Sequence, residues 1–397
     1  MTPLLLSRVT ASSCVGHGVL PLEAALRAGR GGLRRCSFET VDLDIHVGEV
    51  AGVDAEVLPP ALREFNCRNN RLAQLALRQD GFDEALRELI ARVGRRRVGL
   101  FLATSTSGIL ETELAYRQRD PVSGALPAAF NYAGTDNSYS VAAFVRALLG
   151  LEGPAVVVST ACSSSAKVFG NAQRMIAAGV IDAALVGGVD SLCLTTLYGF
   201  HSLQLTARGP CRPFAVDRDG LSIGEAAAFA LLEPPGAGAS ASDVLLLGVG
   251  ESSDAHHLSA PHPDGLGARL AMAGALSAAG VTAADVDYLN LHGTATPSND
   301  RAESLAVHGL LGSRLPCSST KGATGHTLGA AGALEAVISA LALQRGFMPG
   351  GINTLEVDAA LGLNYLTATR DTAPARVLSN SFGFGGSNCS LLFGRLG

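Results

Sequence analysis

The order of elements predicts an α/β protein made of two similar halves, and three observations carry that expectation. Continuous apolar runs such as Val98 to Ala103, Ala183 to Val189 and Ala226 to Leu232 have the length and composition of buried strands. They alternate with segments whose apolar residues recur at helical spacing, as Ala166, Val168, Phe169, Ala172, Met175 and Ile176 do. The alternation runs once before a Gly/Ala/Ser joint, GAGASAS at 236–242, and again after it. The boundary therefore falls there, giving halves 1–240 and 241–397 with mostly parallel, buried sheets. No residue-level repeat accompanies the alternation, so duplication rests on the order of elements.

In chain order, the first half opens with a strand at Leu4 to Thr10 and a short helix at Pro21 to Arg27, then a Gly-, Asp- and Pro-punctuated irregular segment over 30–60. Helices are expected at Pro60 to Arg78 and Phe82 to Val93, a strand at Val98 to Ala103, a polar turn through Ile109, and a helix at Tyr139 to Leu149. A buried strand from Val156 runs into the helix beginning near Ser163; strands at Ala183 to Val189 and Ala226 to Leu232 complete the half. The second half repeats the pattern: strand Val244 to Gly250, helix Leu266 to Ala279, strand Val286 to Leu291, helix Asp300 to Leu311, a short strand near Leu315 to Ser318, and a long helix Thr327 to Arg345. It ends in two strands between Arg376 and Phe393 joined by a glycine-rich loop.

Composition excludes several classes. With 397 residues, 47% hydrophobic, the chain exceeds one minimal core, and a net charge of −5 speaks against bulk nucleic-acid binding. No apolar run suggests a membrane span, and Met1 to Leu6 lacks a signal-peptide pattern, so a soluble cytoplasmic protein is expected. The eight cysteines show neither CxxC pairs nor His spacing, which indicates no disulfide framework and no metal site.

The chemistry is expected to start at VVVSTACSSSA, Val156 to Ala166. There Cys162 sits at a strand-to-helix bend, where the positive end of the helix and its unpaired N–H groups stabilise a thiolate and can hold an oxyanion. Three further features accompany it. His292 follows directly on a strand end, with Thr294 and Thr296 beside it, the position at which open α/β sheets carry ligands. Lys321 and His326 share one loop ahead of a helix that carries Glu335. Phe382 and Phe384 lie in SFGFGGSN, read as a mobile gate. Taken singly, each is also explained as core filling or helix packing; together they supply nucleophile, donors, charge and gate.

These segments resemble the β-ketoacyl-acyl carrier protein synthases, condensing enzymes of the thiolase-like superfamily. The resemblance is carried by STACSSSA, CRPFAVDRDG at 211–220, SSDAHHLSAPHPDG at 252–265, HGTATPSND from His292, STKGATGHTLGAAGALEA from Ser319 and NSFGFGGSN from Asn380. It implies a thiolase-like duplicated fold in αβαβα layers. It also implies the elongating class, with a Cys162, His292, His326 triad, supported by Lys321 and Glu335, that performs a decarboxylative Claisen condensation of an acyl-Cys162 with malonyl-acyl carrier protein. Phe384 would complete the oxyanion hole, Thr294 and Thr296 contact phosphopantetheine, and Ile109 and Phe200 are further substrate-binding residues. No cofactor is implied, since phosphopantetheine arrives on the acyl carrier protein. That carrier would dock on Arg63, Arg68, Arg71, Arg208 and Arg212, although those on the Pro60 to Arg78 helix also read as a solvated face. The resemblance further implies a homodimer or a heterodimer with a synthase-like paralogue, and Tyr139 to Leu149 and the strand after Cys162 are apolar enough to pair across an axis. The alternative is a non-catalytic partner of the chain-length-factor type, which the complete triad speaks against. Two departures stand out: Gly224, Glu225, Ala226, Ala227, Ala228 replace the usual GEGAG, and ASSCVGHGVLPLE replaces the glycine-rich opening. With SLCLTTLYGFHSL at 191–203, they resemble the branch serving aryl polyene pathways in place of fatty acid synthesis.

Overall fold

The computed structural model describes residues 1–236 and 240–395, so 237–239, inside the expected joint at 236–242, lie outside the described residues. Among the described residues the main sheet has twelve strands, of which ten form its two five-strand halves: β1 (Leu4–Ser13), β2 (Val98–Ala103), β3 (Ala155–Val158), β4 (Ala183–Asp190), β5 (Ala226–Glu233), β6 (Val244–Ser253), β7 (Tyr288–Asn290), β8 (Pro316–Ser318), β9 (Arg376–Gly383) and β10 (Ser387–Arg395). Their spatial order is β8-β7-β9-β10-β6 followed by β1-β5-β4-β2-β3, with the short strand Asn364–Tyr365 beyond β8. Each half thus repeats one order, and the duplication inferred from element order is present in the topology. The halves join where β1 and β6 pair at Leu4–Leu246 and Leu5–Leu245.

The sheet is mixed, which corrects the expectation of mostly parallel strands. In each half the first, fourth and fifth strands pair antiparallel, while the second is parallel to its two neighbours, β2 to β3 and β4 and β7 to β8 and β9, and β8 is also parallel to Asn364–Tyr365. The helices Ser164–Ala177 and Ala331–Arg345 pack on each other and on strands of both halves; Arg68–Leu77 and Ser140–Leu149 cover one outer face, and Leu266–Ala279 with Pro297–Leu311 the other. Helix, sheet, helix, sheet, helix is the layering. The stretch Leu328–Arg345 is long and apolar enough to cross a membrane, contrary to the sequence reading, but it is 89% buried as the middle layer.

Two local differences have clear causes. The expected helix Pro60 to Arg78 is a 3-10 turn, Pro60–Phe65, and an α-helix, Arg68–Leu77. Cys67 between them is extended, and the N–H of Arg68 donates to the Glu111 carboxylate at 2.9 Å, which starts the second helix anew. The 30–60 segment is not wholly irregular: Arg34–Arg35 and His46–Gly48 pair and join Ile223–Gly224 in a small second sheet.

Arg68 is not a surface residue, which removes it from the docking patch. Its side chain is 2% exposed and bonds Glu225 at 2.6 and 2.9 Å and Asp54 twice at 2.8 Å. Glu225, fully buried, also accepts from the N–H groups of Val50 and Leu192 at 2.8 Å. Removing one partner of a buried pair leaves the other charge unsatisfied, so Glu225→Ala should lose roughly 3 kcal/mol of stability in urea unfolding. An unchanged midpoint would show that Asp54 alone satisfies Arg68.

Candidate active site

The C-terminal ends of parallel strands from both halves deliver the chemistry to one pocket. β3 runs into Cys162, β7 into His292, β8 into Lys321 and His326, and β9 into Phe384. Contrary to the expected buried strand, β3 is the sheet's edge, with Val156 38% exposed.

After β3 the chain turns on Ala161, whose φ of 52° is a left-handed, strained conformation for a residue with a Cβ. This elbow lifts Cys162 above the helix that begins at Ser164. The three serines do not cap that helix through their side chains as their sequence suggests. Ser163 donates to Thr160 O and Ser164 to Ala161 O, while Ser165 accepts from the N–H of Ala333 on the other central helix. They brace the elbow. β9 approaches so closely that a Cβ on Gly383 would stand 3.2 Å from the Cys162 nitrogen and 2.9 Å from Thr160 O, so this position requires glycine. The approach places the N–H of Phe384 against the Cys162 thiol, where it and the N–H of Cys162 itself favour negative charge.

His326 Nε2 lies 3.0 Å from Cys162 Sγ. The rings of His292 and His326 stand perpendicular at 5.3 Å, and Phe382 packs on His292 at 5.7 Å. Lys321 Nζ donates to Glu335 Oε1 and to His292 O, each at 2.5 Å, and faces His292 Nδ1 at 3.4 Å. An ammonium at Nδ1 leaves the His292 proton on Nε2, aimed away from the lysine. Burial and, after it, the Lys321 charge push both histidines well below the usual imidazole range, so they are neutral N–H carriers. Burial pushes Glu335 up to about 7 against the pull of Lys321.

The thiol departs from the expectation of a stabilised thiolate. Burial raises Cys162 to about 11, outweighing Lys321 and the Phe384 N–H, which both lower it. The resting site is a neutral thiol beside a neutral imidazole. Thiolate fraction then rises tenfold per pH unit below the pKa, so iodoacetamide alkylation of Cys162 should climb about tenfold per unit between pH 7 and 9. A flat profile would indicate a preformed thiolate–imidazolium pair.

Cys162, His292, His326, Thr294, Thr296, Phe382, Phe384 and Phe200 line one pocket. Thr294 and Thr296 share a hydroxyl contact of 2.9 Å on its wall. Phe200 stacks on Phe384 at 5.6 Å. Phe382 is not part of a mobile loop; it is a β9 residue, 8% exposed, paired with Asn388. Ile109 does not reach the pocket and packs beside Phe200 in a neighbouring apolar cluster. Of the arginines, Arg63 and Arg208 are exposed, Arg71 is held by Asn66, Asp54 and Val53 O, and Arg212 by Asp217 and Asp219. The GEAAA departure leaves intact the one glycine that matters. A Cβ on Gly224 would meet Thr324 O at 2.2 Å, and the N–H of Gly224 donates to His326 O.

Several residues of the site escaped the sequence reading. Glu303 accepts from the N–H groups of His292 and Gly293 at 2.8 Å and from Asn380, and burial raises it to about 7. Asp190, buried at the end of β4, accepts from the N–H groups of Ser105 and Thr106 and from that of Gly329, tying the turn after β2 to the His326 loop. Asp254 and Asn388 bind each other under the Phe384 turn at 2.9 Å. Glu303 and Asp190 leave the weak sequence signal of an acid beside apolar residues, whereas Asp254 and Asn388 stand among polar neighbours and leave none.

Family models agree with this geometry. The β-ketoacyl synthase N-terminal domain matches residues 69–235 and the β-ketoacyl synthase C-terminal domain matches 244–355. The chain belongs to the β-ketoacyl synthase family. It is 36% identical over 306 residues to nodulation protein E of Rhizobium meliloti, covering 75% of each. With the 3-oxoacyl-[acyl-carrier-protein] synthase 2 of Rhizobium meliloti (strain 1021) it shares 42% over 262 residues, and with the mitochondrial synthase of Arabidopsis thaliana 40% over 266. Those two matches cover 62% of this chain and only 62% and 57% of the relatives' own lengths. A ketosynthase from Xenorhabdus doucetiae, solved in complex with its chain length factor, superposes with a TM-score of 0.89 at 38% identity over 99% of this chain and 98% of that one. A β-ketoacyl synthase from Burkholderia phymatum superposes with a TM-score of 0.87 at 30% identity over the full length of both.

Proposed function

We propose that this synthase-family chain is a condensing enzyme that elongates an acyl chain held on Cys162 with malonyl-acyl carrier protein. The observation that carries the reading is the 3.0 Å contact of Cys162 Sγ with His326 Nε2 beneath the Phe384 N–H, with the second neutral imidazole of His292 perpendicular to it. Cys162 attacks the carrier thioester while His326 Nε2 takes the thiol proton and hands it to the departing phosphopantetheine thiol. The N–H groups of Cys162 and Phe384 receive the oxyanion. Malonyl thioester then enters, and as carbon dioxide leaves, His292 Nε2–H donates to the thioester oxygen, joined by His326 when its proton is on Nε2. Each preorganised donor of this kind is worth roughly 3 kcal/mol at the transition state. The enolate carbon attacks the acyl carbonyl on Cys162, and the carbon–sulfur bond breaks: the 3-oxoacyl group leaves on the carrier's phosphopantetheine and the Cys162 thiolate takes up a proton, which restores the thiol. No step calls for a metal or an organic cofactor.

Cys162→Ala should abolish condensation yet retain malonyl decarboxylation, while His292→Ala or His326→Ala should still be acylated but release carbon dioxide at least tenfold more slowly; intact mass and carbon dioxide release read the two halves separately. Condensation by the Cys162→Ala variant would overturn the assignment. The chain-length-factor reading predicts no acylation of the parent protein at all.

A dimer is part of this proposal, and the neighbouring ketosynthase complexed with its chain length factor supports a heterodimer. The expected element is corrected: the strand after Cys162, β4, is interior, between β2 and β5, whereas β3 before it is the free edge. The two departures noted in the sequence support the aryl polyene branch. For the carrier, Arg208 is the candidate retained, since its side chain is 96% exposed, with one 3.8 Å pair to Asp219, on the loop that also supplies the pocket residue Leu205. Arg208→Glu should raise the KM for carrier-bound substrate at low salt and flatten its salt dependence, leaving a small free thioester nearly unaffected. Equal losses with both substrates would dismiss the docking role.

A further inference from the structure

The helix Leu194–Ser202 carries Phe200, yet its N-cap residue, Cys193, offers no side-chain cap to the orphan N–H groups of the first turn. A carboxylate from elsewhere does. Glu113, on the helix Ile109–Arg117, accepts from the N–H of Leu194 at 2.8 Å and from that of Thr195 at 2.6 Å, one oxygen for each. Just ahead of them, the N–H of Leu192 is held by the buried Glu225. Two acids from separate elements therefore grip the segment from Leu192 to Thr195, and Glu113 fastens the Phe200 helix onto the Ile109 helix.

What lies between these helices is apolar. Leu110, Cys193, Leu194, Leu197, Leu221 and Leu328 form one buried cluster with Ile109 and Phe200 packed against it. Phe200 alone of that pair reaches the pocket, where its ring stacks on Phe384. An acyl chain extending from Cys162 past Phe200 would have to enter this cluster by separating its walls. The backbone of the Phe384 turn is held independently, because the N–H of Gly385 donates to Leu258 O at 2.7 Å and the N–H of Asp254 to Gly386 O at 2.8 Å. The oxyanion donor and the Phe200 wall are thus anchored by different contacts.

Resting on the condensing activity proposed above, we propose that Glu113 is a positioning residue for the acyl wall: by capping the Phe200 helix it sets which chain lengths Cys162 accepts. A helix-capping carboxylate acts on the placement of its helix, so its loss should be felt by long chains and hardly by short ones.

The test compares acylation of Cys162 by acetyl and octanoyl carrier thioesters in the parent protein and in Glu113→Ala and Glu113→Asp, together with amide hydrogen exchange of Leu194 and Thr195. Glu113→Ala should slow octanoyl acylation more than tenfold and acetyl acylation less than threefold, and the two amides should lose protection at least tenfold. Glu113→Asp, a shorter acid on the same helix, should recover part of the octanoyl rate. A common loss for both chains with a lowered melting temperature would show a merely structural role and overturn the proposal. So would unchanged chain-length preference with the amides exposed. If the parent protein accepts neither thioester, it is the condensing activity that fails, and exchange at Leu194 and Thr195 still reports whether Glu113 holds the helix.

Discussion

The Lys321–Glu335 pair, sealed inside the molecule, is the constraint on which the site depends. Lys321 reaches Glu335, the carbonyl of His292 and the Nδ1 side of its ring from one nitrogen, so a single ammonium fixes the placement, tautomer and neutrality of the histidine. The same positive charge favours a neutral His326 and pulls down the thiol that burial pushes up. Without Glu335 the cation would be an unpaired charge in a dry interior, where several kcal/mol oppose it. The glutamate sits on the middle-layer helix Ala331–Arg345, and the demand of Lys321 for a partner accounts for an acid in a helix buried from Ala331 to Leu343.

Duplication explains how the halves share the work. Each repeats the same five-strand order, and the loops that follow the parallel strands of the two halves converge on one pocket. One half provides the elbow with Cys162 and the other provides His292, Lys321, His326 and the Phe384 turn. Ser165, bonded to Ala333 N–H between the central helices, holds the nucleophile's helix in register with the helix that carries Glu335. The site is therefore sensitive to how the halves meet, more than to either alone.

Strand and helix alternation, the element order and the residues of the pocket were legible because each leaves a local trace: apolar runs for strands, glycines at close approaches, histidines after strand ends. Strand direction was not legible, since nothing local distinguishes β5 running antiparallel to β4 from a parallel neighbour. The burial of Arg68 was missed for a related reason. Its partners Glu225 and Asp54 are distant in sequence from each other, and an arginine among arginines reads as a solvated face until the fold brings a carboxylate to it. The resting thiol likewise depends on desolvation by residues from both halves, whereas a helix start is visible in one short segment. Glu303 and Asp190 went unnoticed because they organise backbone N–H groups, which every residue possesses and no motif records.

The half-exposed edge strand ahead of the nucleophile has a consequence for how such a chain is handled. Among the described residues β3 pairs only with β2, so its other side presents an unpaired backbone edge flanked by valines, the kind of template on which misfolded chains stack. A copy whose β3 edge is uncovered carries that edge four residues from its nucleophile. Yield in soluble form should therefore respond to whichever subunit is co-expressed, and the thiol of an orphaned copy would be harder to preserve than its deep burial suggests.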